Sequence, residues 1–395
     1  MLKPYYPHKP IASIEALAIT LGIHPKLLID LSKKIDSSYT SFLLPPKPNK
    51  KPRTVHEPKY ELKKLQKHIN SRIFEAIEFP DYLQGGIKDK DKPRDYVENA
   101  TRHAHANQII CLDIKNFYPN IKYEHVFNIF QHFFKFPPIV SEILAKITTY
   151  HGRVPQGGCT SSYIANLIFH DTEYSLVSNL DKQGIQYSRL LDDITLSTTK
   201  TFTNEEESLH IKSIAKMFKK YDLKINNKKT KIEHRLNSDP EIKFEVTGLW
   251  IGHKKPKARK KERRFIRQLA FICENEYKIS PYSDSYHKRW NEVSGKVAKL
   301  QRLGHIQAIS LRQRLSLVLP LYDESMKIKI TQETKKLVKV PAPQNQRINH
   351  IKRVNKLINK IGILARNNKA LARSLRLQLN VVYASQPTAK EIWIK

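Results

Sequence analysis

The sequence predicts an α+β protein whose last third is helical and basic, and three observations predict it. Across residues 39–255, apolar runs of strand length alternate with segments carrying apolar residues at helical spacing. From about Lys260 the pattern becomes helical, rich in Lys and Arg, and poor in Gly. With 395 residues, 40% of them hydrophobic, the chain is globular and long enough for two or three structural units.

The charge narrows the function classes. A formal net charge of +33, from 70 Lys+Arg against 37 Asp+Glu, far exceeds what solubility needs and points to a polyanionic partner. An anionic membrane is the weaker candidate. No apolar run approaches a membrane span, the first residues MLKPYYPHKP lack an apolar signal core, and the basic residues are spread along the chain. Nucleic acid is the expected partner, in the cytoplasm. Cys111, Cys159 and Cys273 are far apart and form no C-x-x-C pair, so reduced thiols are expected and a cysteine-built zinc site is not. His103 and His105 read as exposed polar residues.

Residues 11–35 read as two short helices around Gly22, either a packing unit or a helix-turn-helix. Two strands then flank a Pro- and Lys-rich loop from Pro45 to Pro52, with TVHEP in the second. This basic hairpin is either a phosphate clamp or a solvated surface. A helix follows with Leu62, Leu65, Ile69 and Ile73 on one face. IICLDI is a strand interrupted by Asp113, whose desolvation would be costly, so Asp113 belongs at a strand edge or in a functional cleft. A helix from about Lys122 to Phe134 comes next, then the loop VPQGG, then a helix from about Ser161 to Leu180.

YSRLLDDITLS reads as strand-turn-strand with Asp192 and Asp193 at its apex. Two adjacent aspartates suit a solvated turn, or they face a pair of metal ions. A helix over roughly 204–221 is followed by YDLKINNKKTKIEH, a strand and then a basic turn, and by the apolar hairpin FEVTGLWIG. VKVPAPQNQ separates residues 1–337 from a basic amphipathic tail, expected as folded helices or as helices formed on a partner.

The order matters more than any single piece. A strand bearing one aspartate, a Gly loop, a hairpin bearing two more and a basic strand end supply what a two-metal phosphoryl-transfer site needs: carboxylates converging on ions about 3.5–4 Å apart. In that order the motifs LDIKNFYPNI, VPQGGCTSSYIANLIF, YSRLLDDITLS, LKINNKKTKI and VTGLWIG, with KKPRTVHEP upstream, resemble those of bacterial retron-type reverse transcriptases, a group that includes defence-associated members. The resemblance covers about residues 39–320.

The resemblance implies a right-hand polymerase with fingers, a ferredoxin-like palm and a helical thumb, plus a basic helical C-terminal extension. Its divisions would be N-terminal helices at 1–38, fingers at 39–107, palm with fingers elements at 108–255, thumb at 256–330 and extension at 331–395. It implies two Mg²⁺ ions, with Mn²⁺ as a substitute, bound by Asp113, Asp192, Asp193 and the carbonyl of Ile114. Tyr118 would be the steric gate against a ribose 2′-hydroxyl, or else a core aromatic. Gln156 would contact the incoming nucleotide, and Gly157 would let the backbone approach it. Lys51 and Arg53 would hold the triphosphate, unless they form a solvated loop. Lys229 would be the general acid.

The partners implied are a structured non-coding RNA template, a DNA primer or product, dNTPs, and a second protein of a defence system or a second copy of the chain. The sequence departs from the family pattern in two places. Leu190 and Leu191 stand where Tyr-Ala is usual, at the primer grip, and Asn116 stands where an acid is common. A maturase extension, a histidine-rich nuclease motif and a ribonuclease H pattern are not expected. Two alternatives to templated copying follow: a polymerase making simple-repeat or untemplated DNA, and a catalytically idle RNA-binding scaffold.

Overall fold

A computed structural model of the chain describes residues 3–45, 52–235, 244–252, 254–341, 344–384 and 386–394. The chain divides into two compact units, one running to Pro256 and one from Lys257 to Trp393.

The first unit begins with helices α1 (Ile14–Leu21) and α2 (Pro25–Lys33). Ser13 caps α1 by accepting from the Ala16 N–H at 3.2 Å. Gly22 ends it at φ +60°, where a Cβ would lie 2.6 Å from the Arg72 guanidinium. Leu17, Leu21 and Leu28 are fully buried, so these helices form a packing unit. Strands β1 (Tyr39–Leu44) and β2 (Arg53–Pro58) make the expected antiparallel hairpin. Helix α3 (Tyr60–Arg72) follows, and Leu62, Leu65, Ile69 and Ile73 are all buried.

After β3 (Leu83–Gln84) and α4 (Tyr96–Arg102) comes β4 (Gln108–Asp113), buried on both faces. Then follow α5 (Phe117–Asn120), α6 (Tyr123–Asn128) running into a π-helical turn at Ile129–Phe133, α7 (Pro138–Thr148), α8 (Ser161–Leu167) and α9 (Glu173–Lys182). The hairpin β5 (Gln186–Leu190) and β6 (Asp193–Thr198), helix α10 (Asn204–Lys219), β7 (Lys231–His234) and the small hairpin β8 (Glu245–Val246) and β9 (Leu249–Trp250) complete the unit.

The sheet order is β3-β5-β6-β4-β7. Strands β4 to β7, joined through α8–α9 and α10, thus form a βαββαβ unit in which β6 and β4 are central, every adjacent pair is antiparallel, and β3 adds parallel to the β5 edge. This is the ferredoxin-like arrangement the resemblance implies.

Several local expectations are corrected. The helix expected over 161–180 breaks at residues 168–172, which brings the Phe169 ring and the Glu173 carboxylate both against the buried Arg189. The strand expected before the basic turn lies after it: the turn Asn227–Lys229 precedes β7, and Ile225 makes only an isolated bridge to Ile114.

His103 is fully buried, not exposed. It bridges Ser188 and Ser197 at 2.7 Å each, while Ser188 donates its one proton to Asn99 at 2.7 Å. Nε2 of His103 must therefore carry hydrogen, and Nδ1 accepts from Ser197. Burial, and then the neighbouring Arg102, hold its pKa down at about 3. His105 is exposed, as expected.

The second unit holds two hydrophobic clusters. Helices α11 (Lys260–Ile279), α12 (Asp284–Arg302) and α13 (Gln307–Leu317) enclose one, around Val293 and Val297. Helices α14 (Glu324–Val338), α15 (Ile348–Leu364) and α16 (Lys369–Tyr383) enclose the other, around Ile330, Leu357 and Leu375. The expected boundary at 330 therefore falls inside α14, whose buried Ile330 and Leu337 pack with the tail helices. The VKVPAPQNQ stretch connects members of one bundle and does not separate a tail from the rest. Among the described residues no helix is long and apolar enough to cross a membrane.

Candidate active site

The register of the central strands builds the site. Asp113, last in β4, lies opposite Asp193, first in β6, and Leu190 also pairs with Asp193. Leu191 and Asp192 are therefore the two residues of the hairpin turn. Leu191 adopts φ +59°, a conformation that tight hairpins require and a non-glycine residue resists. The N–H of Ile114 donates to the Asp192 carbonyl at 3.0 Å, tying the turn to the end of β4.

The electrostatics differ among the three aspartates. Asp113 is only 6% exposed, pairs with the Lys229 ammonium, and accepts from Asn226 Nδ2 at 3.0 Å. Burial pushes the Asp192 carboxyl pKa up, and the charge of Asp113 adds to this, while Lys229 and Arg53 oppose it. Asp193 is exposed.

A cleft of about 800 Å³ opens over this end of the sheet. Of the residues expected there it brings together Arg53, Asp113, Ile114, Tyr118, Gln156, Asp192 and Lys229. An adjoining cleft of about 550 Å³ shares Arg53, Asp113, Asp192 and Lys229 and adds Leu190 and Asp193. Tyr118 is half-buried in α5, just beyond Asn116, whose φ of +48° turns the chain out of β4. Burial raises the pKa of its hydroxyl, keeping it a neutral donor.

Two expected residues line neither cleft. The steric demand at Gly157 comes from β2: at φ +107°, a Cβ would lie 2.7 Å from Val55 Cγ1 and 2.9 Å from the His56 carbonyl oxygen. The His56 N–H also donates to the Gln156 carbonyl at 2.8 Å, so the Pro-Gln-Gly loop docks on the hairpin. The hairpin alone thus requires a glycine at position 157. The Leu191 side chain sits above Gly85 and Gly86, which would place a Cβ 3.5 Å and 3.6 Å from it. Lys51 lies outside the described residues.

The cleft also contains His56, Tyr150, His151, Arg153 and Asn226, which sequence reasoning did not single out. His56 and Asn226 sit inside quoted motifs, KKPRTVHEP and LKINNKKTKI, and Arg153 directly precedes VPQGG, so all three could have been found there. Tyr150 faces His56 at 4.9 Å from a distant segment and had no local signal of its own.

Among the described residues no group of three or more His, Cys, Asp or Glu side chains is drawn together closely enough to hold a metal ion as it stands. The donors nevertheless suit a hard divalent cation: the carboxylates of Asp113 and Asp192 line one cleft, and a cation, the Lys229 ammonium, already contacts Asp113.

A family model described as reverse transcriptase (RNA-dependent DNA polymerase) matches residues 45–267. The retron Se72 reverse transcriptase of Salmonella heidelberg is 42% identical over 380 residues, 96% of this chain and 98% of that one. The retron Ec48 reverse transcriptase of Escherichia coli is 32% identical over 333 residues, 81% and 79% of the two chains. Among solved structures, telomerase from Candida albicans with a TWJ fragment of telomeric RNA aligns with TM-score 0.40 and 10% identity, covering 90% of this chain and 68% of that one, too remote to bear on the site.

Proposed function

The chain belongs to the retron reverse transcriptases, RNA-directed DNA polymerases, and from that premise we propose that it copies a structured non-coding RNA into DNA within a bacterial anti-phage defence system. The observation that carries the site assignment is the register that sets Asp113 opposite Asp193, with Asp192 at the turn between strands. Asp113, Asp192, Asp193 and the Ile114 carbonyl would hold two Mg²⁺ ions. Bound there, they would supply Lewis acidity for the primer hydroxyl and charge neutralisation for the triphosphate.

The remaining steps belong to the chain's own groups. Lys229, ion-paired with Asp113, would be the proton donor when pyrophosphate leaves. Arg53, with Lys51 beside it in sequence, would clamp the triphosphate, where the guanidinium fork fits phosphate oxygens. Gln156 would orient the nucleotide. The Tyr118 ring would exclude a 2′-hydroxyl. Leu190 and Leu191 would bear on the primer end.

The hairpin β1–β2 with α3 would act as fingers and α11–α13 as thumb. The exposed cations of α15 and α16 would hold RNA phosphates. A second defence protein or a second copy of the chain completes the proposed partners. A second reading, synthesis of simple-repeat or untemplated DNA, is favoured only by the unusual Leu190-Leu191 turn. An idle scaffold is disfavoured, because clustered carboxylates are costly to keep without a use.

The test purifies the full chain with its accompanying RNA, supplies labelled dNTPs with Mg²⁺ or Mn²⁺, and sequences both RNA and DNA. DNA complementary to the RNA is expected. Repetitive DNA unrelated to the RNA would favour the second reading, and no incorporation with either ion would overturn both.

A further inference from the structure

Behind the catalytic turn lies a charged group that the proposed chemistry leaves unused. Arg189 points away from the sheet face that carries Ser188 and His103, because neighbouring strand residues alternate. It is fully buried, and each of its five N–H bonds finds an acceptor. Nε and Nη2 grip the two oxygens of Glu173 at 2.6 and 2.7 Å. Nη1 and Nη2 also reach the carbonyls of Ala165 and Asn166, in the last turn of α8, at 3.0 Å each. The remaining Nη1 proton goes to the carbonyl of Leu191 at 3.2 Å.

A buried ion pair of this kind is a weak source of stability, since apolar residues of similar volume often serve as well. Its donors, however, are aimed. The Leu191 carbonyl lies on one side of the Asp192 Cα and is held by Arg189. The Asp192 carbonyl lies on the other side and is held by the Ile114 N–H at 3.0 Å. The residue that must be held, Leu191, has the disfavoured φ of +59°. Arg189 further joins this turn to the helix that follows the Pro-Gln-Gly loop.

We propose that Arg189, braced by Glu173, is a positioning residue for catalysis: through the Leu191 carbonyl it fixes where the Asp192 carboxylate stands relative to α8. The inference rests on the reading that Asp192 is a metal ligand. Outer groups that orient a ligand in this way commonly change metal affinity or activity about 10–100-fold when altered.

The experiment uses the full chain with its RNA and compares Arg189→Lys, Glu173→Gln and Tyr187→Phe. Tyr187→Phe removes the other donor to Glu173, the tyrosine hydroxyl at 2.6 Å, without touching the Leu191 contact. For each variant the melting temperature, kcat, KM for dNTP and site-bound Mn²⁺ are measured, the last by electron paramagnetic resonance as the difference from an Asp113→Asn control. Arg189→Lys should lower kcat about 30-fold, leave KM within about 3-fold and raise the Mn²⁺ half-saturation about 10-fold. Glu173→Gln should act in the same direction by about 5-fold, and it carries the test if Arg189→Lys does not fold. Tyr187→Phe should lower only the melting temperature.

The proposal is overturned if the folded Arg189 or Glu173 variants keep wild-type kcat and Mn²⁺ binding. It is also overturned if Tyr187→Phe loses kcat in step with its melting temperature, since Arg189 would then be merely structural. A wild-type chain with no site-bound Mn²⁺ overturns the metal-site reading itself, and the positioning role with it.

Discussion

The two units handle charge in opposite ways. The first, up to Pro256, buries charges and pairs them: Arg189 with Glu173, and Asp113 with Lys229. The second surrounds an apolar core with ion pairs that stay partly exposed, such as Arg314 with Glu274 and Lys360 with Glu333, and with cations left in solvent. No acidic residue occurs between Glu333 and Glu391, while Lys352, Arg353, Lys356, Arg373 and Arg376 are all exposed. A buried charge must have a partner fixed in space, so the first unit is specified by long-range geometry. An exposed cation needs only to be on the right helix face, so the second is specified by periodicity. Substitutions in the first unit should therefore change chemistry, and those on the exposed helix faces of the second should change affinity.

The largest effect that would break this contrast is in the second unit. Leu357, fully buried in α15, should cost about 4 kcal/mol when changed to Ala, read as a lowered unfolding transition of the helical unit only. A simultaneous loss in the first unit's transition would show that the two are not separately specified.

Next is His103, whose pKa is depressed in the fold to about 3 from an ordinary 6.5. The unfolded chain takes up the proton first, so the stability of neutral His103 is present above pH 6.5 and lost as pH falls towards 3. Denaturant titrations should show His103→Asn less acid-sensitive than wild type by about 3 kcal/mol between about pH 6.5 and pH 4. Equal acid sensitivity would mean His103 is already protonated or exposed.

Smaller again is Tyr118→Ala. Competition between dNTPs and NTPs should show sugar discrimination falling about 10–50-fold. The smallest effect per residue is at the tail. Changing Lys352, Arg353, Lys356 and Arg373 to Gln should weaken RNA binding and reduce the slope of log affinity against log salt by about 3, leaving the melting temperature unmoved.

What was legible in the sequence follows the same division. That Asp113, Asp192 and Asp193 share one end of the sheet could be read because each sits in a short local pattern. The helical unit could be read from its amphipathic period. His103 could not, since its partners Ser188 and Ser197 lie 85 and 94 residues away. The crowding of Gly157 was hidden in the same way, because the strand that crowds it is about a hundred residues upstream. The division of the second unit's core was missed because a Pro- and Gln-rich stretch marks a loop equally well inside a bundle and between domains. The break between α8 and α9 reflects a tertiary demand, the shared grip of Phe169 and Glu173 on Arg189, which overrides a continuous helical pattern.

The most direct test of the central claim is single-turnover dNTP incorporation on the accompanying RNA by Asp192→Asn beside wild type, with melting temperatures recorded for both. Asp192 is a carboxylate held in a half-buried site beside Asp113, so the amide should leave folding intact and reduce incorporation about a thousandfold. Incorporation within a few-fold of wild type by the folded variant would contradict the account.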